Sequence, residues 1–280
     1  MHVRLLGPLS IRVNGKNMTP TAPKPRRVLA LLATSANQVV RNEQLIEEVW
    51  ESRPPRSVTT TLQTYVYQLR KSLDLAIAPE RSGLRPESAL RTFVGGYMLT
   101  LPEGALDSQV FERLAQRGRV QLTAGRVHEA ARTLQEALEL WQGPAMVDVN
   151  PGPVLLSEAL RLEEIRKSVL DLRIDADLRL GRHHELLAEL IKLVAAQPTH
   201  EGFQAKLMVA LYRAGRRSEA LQTYQRARQR LVDELGVDPS ATLQRLQRAI
   251  LAGELETTSP GQDMAGVSSG AGAPVGEIRY

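Results

Sequence analysis

The chain contains no cysteine among its 280 residues, and this absence excludes several kinds of site. Disulfide scaffolds, thiolate nucleophiles and cysteine-ligated zinc all need a residue that the chain does not have. Long apolar runs are also missing. The longest strongly apolar run, Val28 to Ala33, is far shorter than the ~20 residues that span a bilayer. We therefore expect a cytoplasmic protein that does not bind membranes.

Groups that catalyse reactions are scarce as well. The five histidines are scattered except for His183-His184, which we expect to be a solvated pair in a turn. The sequence has no phosphate-binding loop of the form G-x-x-x-x-G-K-[ST]. Paired carboxylates such as Glu163-Glu164 fall among arginines and lysines, as on an ordinary charged helix face. The sequence therefore predicts no enzyme activity, no cofactor and no metal.

Acidic residues are under-represented in the N-terminal third. Residues 1–104 contain 14 lysines and arginines against 8 acidic residues, whereas residues 105–280 contain 22 against 23. The net charge of +5 therefore originates entirely in the first third. Such a concentration of positive charge indicates a polyanionic partner for that part of the chain.

The first 101 residues have the pattern of a small sheet, three helices and a hairpin. Two short β-rich runs flank Gly7-Pro8, and Asn14-Gly15 predicts a type I′ turn after them. Helices are predicted from Pro25 or Arg26 to about Asn37, from Glu43 to Trp50, and from Arg56 to Asp74, with an extended link at residues 39–41. An irregular region, residues 75–90, precedes a hairpin around Gly95-Gly96.

The third of these helices is the most strongly patterned. Its apolar residues recur three or four positions apart, which predicts an amphipathic helix of about five turns. They are Val58, Leu62, Tyr65, Val66, Leu69 and Leu73. The opposite face has no acid before Asp74 and offers hydroxyl, amide, phenol and ammonium groups, which can reach phosphates and base edges. Taken alone, a surface helix of a bundle that lacks acids explains the pattern equally well.

The basic residues Lys24, Arg26 and Arg27 cluster where the first helix starts. Cations are unfavourable at the positive end of a helix dipole, so an anionic partner would explain them better than helix stability does. Chance placement at a solvated helix end is the alternative.

Together these elements describe a winged helix-turn-helix. The segments VVRNEQLIEEVW, TLQTYVYQLRKSL and GGYML resemble the OmpR-type winged helix. The resemblance implies that the third helix enters the major groove of DNA and that the hairpin, called the wing, touches the minor groove or backbone. The groove-facing residues would be Thr60, Gln63, Thr64, Tyr67 and Lys71.

The same resemblance implies two further groups of DNA contacts. The phosphates would be bound by Lys24, Arg26, Arg27, Arg56, Ser57 and Arg70. The wing would contribute Gly95, Gly96 and Tyr97, although a tyrosine at this position can also fill the core. Many wings of this type carry a basic residue after the tyrosine, and here that residue is Met98.

Residues 105–255 are predicted to be almost entirely helical and contain a repeated motif. The form G-R-x-x-E-(A/L)-(A/L) begins at Gly125, Gly181 and Gly215. The last two copies are 34 residues apart, which is the tetratricopeptide period, while a Gly/Pro-rich insertion, Gln142 to Pro153, separates the first two. Such helix pairs bury their apolar faces only by stacking, and the stack presents a concave surface for proteins.

The end of this region resembles the bacterial transcriptional activation domain of the Streptomyces antibiotic regulatory protein (SARP) family. The resemblance rests on ALYRAG and RLVDELGVDP. We expect Gly236 to end a long helix and Pro239 to begin the last one, whose core face is Leu243, Leu246, Ile250 and Leu251. Residues 256–280 have the composition of a flexible tail.

The predicted protein is therefore mainly α, with a winged helix-turn-helix at 1–103, a tetratricopeptide-like domain at 104–255 and a tail at 256–280. The family resemblance implies a nucleoid-associated bacterial activator that binds direct repeats in double-stranded DNA at promoters. It also implies a second copy beside it on DNA, contact with RNA polymerase through the sigma subunit, and control of secondary-metabolite genes. Two alternatives remain open. The first is a repressor or ligand-responsive regulator with the repeats as sensor, and the second is a protein-binding helical scaffold.

Overall fold

A computed structural model describes residues 1–77 and 88–256 of the chain. The described residues form two compact units. The first unit contains residues 1–77, 88–120 and 132–170, and the second contains residues 121–131 and 171–256. The mainly helical fold with small N-terminal antiparallel sheets is confirmed. The domain boundaries at residues 103 and 255 stay predictions.

The first unit opens with a three-stranded antiparallel sheet. Its strands are β1 (His2–Arg4), β2 (Ser10–Val13) and β3 (Lys16–Asn17), in that spatial order. Asn14 and Gly15 both have positive φ angles, 48° and 79°, as the predicted type I′ turn requires. Val3 and Ile11 lie opposite each other in the register and are both buried, so one face of this sheet belongs to the core.

Three helices and a second sheet follow. The helices are α1 (Pro23–Thr34), α2 (Asn42–Trp50) and α3 (Val58–Ile77), each close to its predicted range. The second sheet contains β4 (Val40–Arg41), β5 (Leu90–Phe93) and β6 (Gly96–Leu99), in the order β4-β6-β5. The expected extended link is thus a strand that pairs with the wing. The pairing needs a glycine, because a Cβ at Gly96 would overlap the carbonyl oxygen of Val40.

The apolar stripe of α3 packs into the core as predicted. Leu62, Val66, Leu69 and Leu73 are at most 4% exposed. Tyr65 is half-buried, and its ring stacks on Trp50 of α2 with 6.0 Å between centroids. The helix extends one turn beyond Asp74, so the predicted irregular region is helical up to Ile77. The part of that region at 78–87, and the tail from 257 onwards, lie outside the described residues.

The next three helices are α4 (Asp107–Thr123), α5 (Val127–Glu139) and α6 (Pro153–Arg179). The Gly/Pro-rich stretch between α5 and α6 binds back to the N-terminal segment. The N–H groups of Gln142 and Met146 donate to the carbonyls of Leu6 and Leu5, each at 2.8 Å. This inserted stretch is therefore an integral part of the first unit.

A buried carboxylate of α2 holds the start of α6. Glu48 is 0% exposed. Its Oε1 accepts from the N–H of Gly152 at 2.5 Å, and its Oε2 accepts from Val154 and Leu155 at 3.0 and 3.1 Å. The first N–H groups of a helix have no partner within the helix, so Glu48 acts as an N-cap supplied from a distant part of the chain.

The second unit contains the helical pairs that the repeat predicts. They are α7 (His183–Ala196), α8 (Glu201–Arg213) and α9 (Arg217–Leu235), followed by α10 (Ala241–Ala252) and a 3-10 helix, Glu254–Glu256. The turn glycines Gly181 and Gly215 have φ angles of 77° and 74°, which favour glycine over every other residue. Every residue of α8 from Phe203 to Tyr212 is buried, so this helix forms the centre of the unit.

The end of α9 and the start of α10 differ slightly from prediction. Gly236 caps α9 in the left-handed conformation, as expected. However, α10 begins at Ala241, and the Ser240 hydroxyl, not Pro239, provides its N-terminal cap by accepting from Leu243 at 3.3 Å. Leu243 and Ile250 are buried, but Leu251 is 52% exposed and does not belong to the core face.

Charged side chains are buried inside the second unit. Lys206 is 3% exposed, and its ammonium contacts Asp175 and lies 3.0 Å from Asp171. Burial raises the pKa of Asp175, an effect that the Lys206 ammonium opposes. His183 and His184 begin α7, with 4.5 Å between ring centroids. No cluster of three or more potential metal ligands occurs within the described ranges.

Candidate nucleic-acid interface

The five residues predicted to read DNA lie together on the solvent face of α3. Thr60, Gln63, Thr64, Tyr67 and Lys71 are all exposed, on the side opposite the buried stripe. Tyr67 is 60% exposed, which is unusual for so large an aromatic side chain without a partner. The hydroxyl of Thr64 donates to the Thr60 carbonyl at 2.9 Å, so its lone pairs stay available to an outside donor. Their contact with DNA stays a prediction.

The chain segment that carries this face contains basic residues and no acidic ones. No aspartate or glutamate occurs between Glu51 and Asp74. Arg56 and Ser57, just before α3, are exposed, as is Lys24 near the start of α1. The Lys24 ammonium lies 5.2 Å from the centroid of the Trp50 ring, a cation–π distance that fixes it beside α2. These three residues remain suitable for phosphates.

Arg26 and Arg27 have internal partners, which corrects their assignment as phosphate ligands. Arg26 pairs with Asp148 and donates to the Pro20 carbonyl at 3.0 Å, and its side chain is only 16% exposed. Arg27 donates to the Glu48 carbonyl at 3.2 Å and lies 3.7 Å from Glu51. Internal acceptors therefore explain why cations are tolerated at this helix start, and we withdraw both from the phosphate set.

Arg70 also has a structural partner. Its Nε donates to the Leu90 carbonyl at 2.9 Å and its Nη2 to the Thr92 hydroxyl at 2.6 Å. Both acceptors belong to β5, the first strand of the wing. Arg70 thus ties the wing to α3 and sets the spacing between them, which is a different role from the predicted phosphate contact.

The wing exposes residues other than those the sequence selected. Tyr97 is 8% exposed and lies in the core of the first unit, which is the alternative that the sequence left open. Gly96 is buried against β4, while Gly95 is exposed at the turn. The exposed tip is Phe93 and Val94, at 41% and 107%. Because the hairpin turns at Gly95, the sequence could have predicted that the neighbouring Val94 lies exposed at its tip.

The partners of Arg26 and Arg27 were not predicted from the sequence. Arg27 donates to the carbonyl of Glu48, and Arg26 pairs with the carboxylate of Asp148. Asp148 is 122 residues from Arg26 in sequence, and its Oδ1 accepts from Leu9 at 2.7 Å. A carboxylate in a loop gives no local signal of such a role.

Comparisons with known proteins agree with this geometry. Residues 106–251 match the family model described as "Bacterial transcriptional activator domain", and residues 16–82 match "Transcriptional regulatory protein, C terminal". The chain is 44% identical over 275 residues to "Regulatory protein DnrI" of Streptomyces peucetius, covering 98% of this chain and 99% of that protein. The chain belongs to the SARP family of transcriptional activators.

Other members of the comparison set support the same assignment. This SARP is 37% identical over 252 residues to "Transcriptional regulator RedD" of Streptomyces coelicolor, with 90% of this chain and 71% of that protein covered. A solved structure of Mycobacterium tuberculosis EmbR, in complex with a low-affinity phosphopeptide, superimposes with a TM-score of 0.85 at 31% identity. It covers 95% of this chain and 68% of that chain. The SARP chain is thus a transcriptional regulator and not an enzyme. No described helix is long and apolar enough to cross a membrane.

Proposed function

We propose that this SARP is a sequence-specific activator that reads promoter DNA through the exposed face of α3. The observation that carries the proposal is the acid-free stripe Thr60, Gln63, Thr64, Tyr67 and Lys71. It faces outwards because Leu62, Val66, Leu69 and Leu73 on the opposite side of α3 are buried. Lys24, Arg56 and Ser57 would bind phosphates, which position the helix, while the stripe would read bases. The wing tip at Val94 would lie against the minor groove or the backbone.

The remaining parts of the proposal follow from family membership. Two copies would bind head to tail on direct repeats about one helical turn apart. The helical region would contact RNA polymerase, through its sigma subunit, and so recruit it. The controlled genes would be a biosynthetic cluster for a secondary metabolite.

Selection of bound duplexes from a random DNA pool, at two salt concentrations, tests the DNA-binding part. We expect a tandem direct repeat to be enriched, with affinity that falls steeply with salt. In vitro transcription from a promoter carrying that repeat tests recruitment, since an activator increases transcript and a repressor decreases it. A protein that bound no duplex at low salt would be a protein-binding scaffold instead.

Point variants separate base reading from phosphate binding. Thr64→Ala and Lys71→Ala should each cost roughly 1–3 kcal/mol on the selected repeat and broaden the preferred sequence. Arg56→Ala should weaken all duplexes alike and reduce the salt slope by about 1. Arg12→Ala removes an exposed cation from β2 and is the matched control, with no expected effect. Unchanged sequence preference in Thr64→Ala would exclude this face as the reading surface.

A further inference from the structure

A groove in the second unit lies between α7 and α9 above α8. It encloses about 320 Å³, within the range of small binding pockets. Ile191 and Val194 of α7 form one wall, and Leu207 and Leu211 of α8 form the floor. Leu207 and Leu211 are almost fully buried, but Ile191 is 50% exposed. The apolar surface that the groove leaves uncovered therefore belongs mainly to its α7 wall.

The opposite wall, from α9, carries positive charge. Arg216, Glu219, Arg226 and Arg230 line it. Glu219 is neutralised by Arg216, which donates two hydrogen bonds of 2.7 and 2.6 Å. The same contact lowers the pKa of Glu219 and keeps its carboxylate ionised. The acid in the groove is therefore already occupied.

Among the described residues, Arg226 and Arg230 form no direct contact of this kind with a carboxylate, although Arg226 is close enough to Glu219 to lower its pKa electrostatically. Within the described ranges neither forms an ion pair within 4.0 Å, and the hydrogen bond of Arg226 is a long one, 3.4 Å, to the Thr223 hydroxyl. Both side chains are exposed. The groove consequently has an excess of two positive charges beside an aliphatic wall. Charge complementarity favours a ligand with carboxylates, and the exposed aliphatic α7 wall favours an apolar side chain on the same ligand.

We propose that this groove binds an acidic peptide segment of a partner protein. An apolar side chain would pack against Ile191 and Val194 on the α7 wall, and two carboxylates would pair with Arg226 and Arg230. The two arginines are four residues apart on α9, so their Cα atoms are separated by about 6 Å along the helix axis. Acidic side chains at positions i and i+4 of a helix, or i and i+2 of an extended peptide, have the same spacing. Nucleic acid fits less well, because its phosphates gain nothing from an aliphatic wall.

Phage display of random short peptides on the immobilised full-length chain tests this proposal without assuming a sequence. We expect enriched peptides to carry one large aliphatic or aromatic residue flanked by aspartate or glutamate. A selected peptide, labelled with fluorescein, is then titrated against variants. Enrichment of neutral or basic peptides, or no enrichment, would overturn the proposal.

Variants with matched controls locate the binding. Arg226→Glu combined with Arg230→Glu should weaken the selected peptide by at least about tenfold, since two charge-assisted pairs are lost. Arg228→Glu reverses one charge on another face of α9, which matches either arginine change made alone, and it should leave affinity within about twofold. Ile191→Asp should weaken binding, whereas Val232→Asp, also at an exposed aliphatic residue, should not.

A folding control and a DNA arm complete the test. All substituted residues are exposed, so far-UV circular dichroism should be unchanged in every variant. Equal peptide affinity for the double arginine variant and the wild type would place the binding elsewhere. Loss of duplex DNA affinity in that variant, at unchanged peptide affinity, would identify the two arginines as phosphate contacts and overturn the proposal.

Discussion

Glu48→Gln is the substitution that tests most directly how the first unit is held together. The carboxylate of Glu48 accepts three N–H groups at the start of α6, and it is completely buried. A glutamine has nearly the same shape but only one acceptor oxygen. If that oxygen serves Val154 and Leu155, the amide nitrogen faces the N–H of Gly152, so two donors oppose each other.

The expected cost follows from these three contacts. A hydrogen bond to a charged group contributes about 1.5–3 kcal/mol, and Glu48→Gln loses one such bond and weakens two. We expect the free energy of unfolding to fall by about 2–3 kcal/mol. For a unit of this size the midpoint of thermal unfolding should fall by roughly 5–10 °C. Glu48→Ala loses all three bonds and should cost about 4–5 kcal/mol.

Calorimetry and amide hydrogen exchange measure the global and the local effect. The matched control is Glu47→Gln, the same chemical change at the neighbouring exposed residue, which should stay within about 0.5 kcal/mol of wild type. In Glu48→Gln the N–H of Gly152, which loses its acceptor, should lose the most protection, and the N–H groups of Val154 and Leu155 should lose less. If Glu48→Gln matched Glu47→Gln in both measurements, the capping role argued from the hydrogen bonds would be refuted.

Three further substitutions have defined outcomes. Arg70→Ala should weaken DNA binding, because it releases the wing from α3, and should leave the salt dependence of the affinity unchanged. A salt slope lower by about 1 would instead show that Arg70 binds a phosphate. Lys206→Ala removes the ion-pair partner of the buried Asp175 carboxylate and should lower the free energy of unfolding by about 3–5 kcal/mol in urea titrations. Lys192→Ala, at an exposed residue, should change it little. Burial raises the pKa of Asp107 above 3.8, so folding favours its protonated form. The free energy of unfolding of wild type, relative to that of Asp107→Asn, should be greatest below about pH 3.8 and should decrease as the pH rises through the folded pKa. A difference that stays constant with pH would contradict this.

The sequence predicted those parts of the fold that repeat with a fixed period or need a particular residue. The apolar stripe of α3 can be recognised in the sequence because its side chains recur every three or four positions along a helix of 20 residues. The turn at Asn14-Gly15 shows because both residues need positive φ. The glycine motif at Gly181 and Gly215 shows for the same reason at helix ends.

The sequence did not predict features that depend on distant partners. The strand β4 has only two residues, and it is a strand only because Gly96 allows it to pair with the wing. Arg26 was assigned to phosphates because a cation at a helix start needs an anion, and that reasoning was sound. The anion is Asp148, which no local pattern connects with Arg26. The exposed face of α3 was predictable, but the hydrogen bonds and ion pairs that Arg26, Arg27 and Arg70 form within the protein were not.

Gly152→Ala tests the contact between Glu48 and the start of α6 from the side of α6. A Cβ at Gly152 would overlap the backbone carbonyl oxygen of Glu48 and lie 2.9 Å from its carboxyl carbon. A backbone atom cannot rotate away, so α6 must move relative to α2, at a cost of about 1–3 kcal/mol or more. Gly202→Ala is the comparison, because its Cβ would meet a side chain, the His200 ring at 3.0 Å, and no backbone atom.

A double-mutant cycle links the two sides of this contact. Once alanine at position 152 has displaced α6 from Glu48, the Glu48→Gln change has fewer hydrogen bonds left to lose. The double variant should therefore be less destabilised than the sum of the single variants, by about 0.5–3 kcal/mol. Strict additivity in urea titrations would mean that the two residues act independently. The contact of Glu48 with the start of α6 would then not be what holds α2 and α6 together.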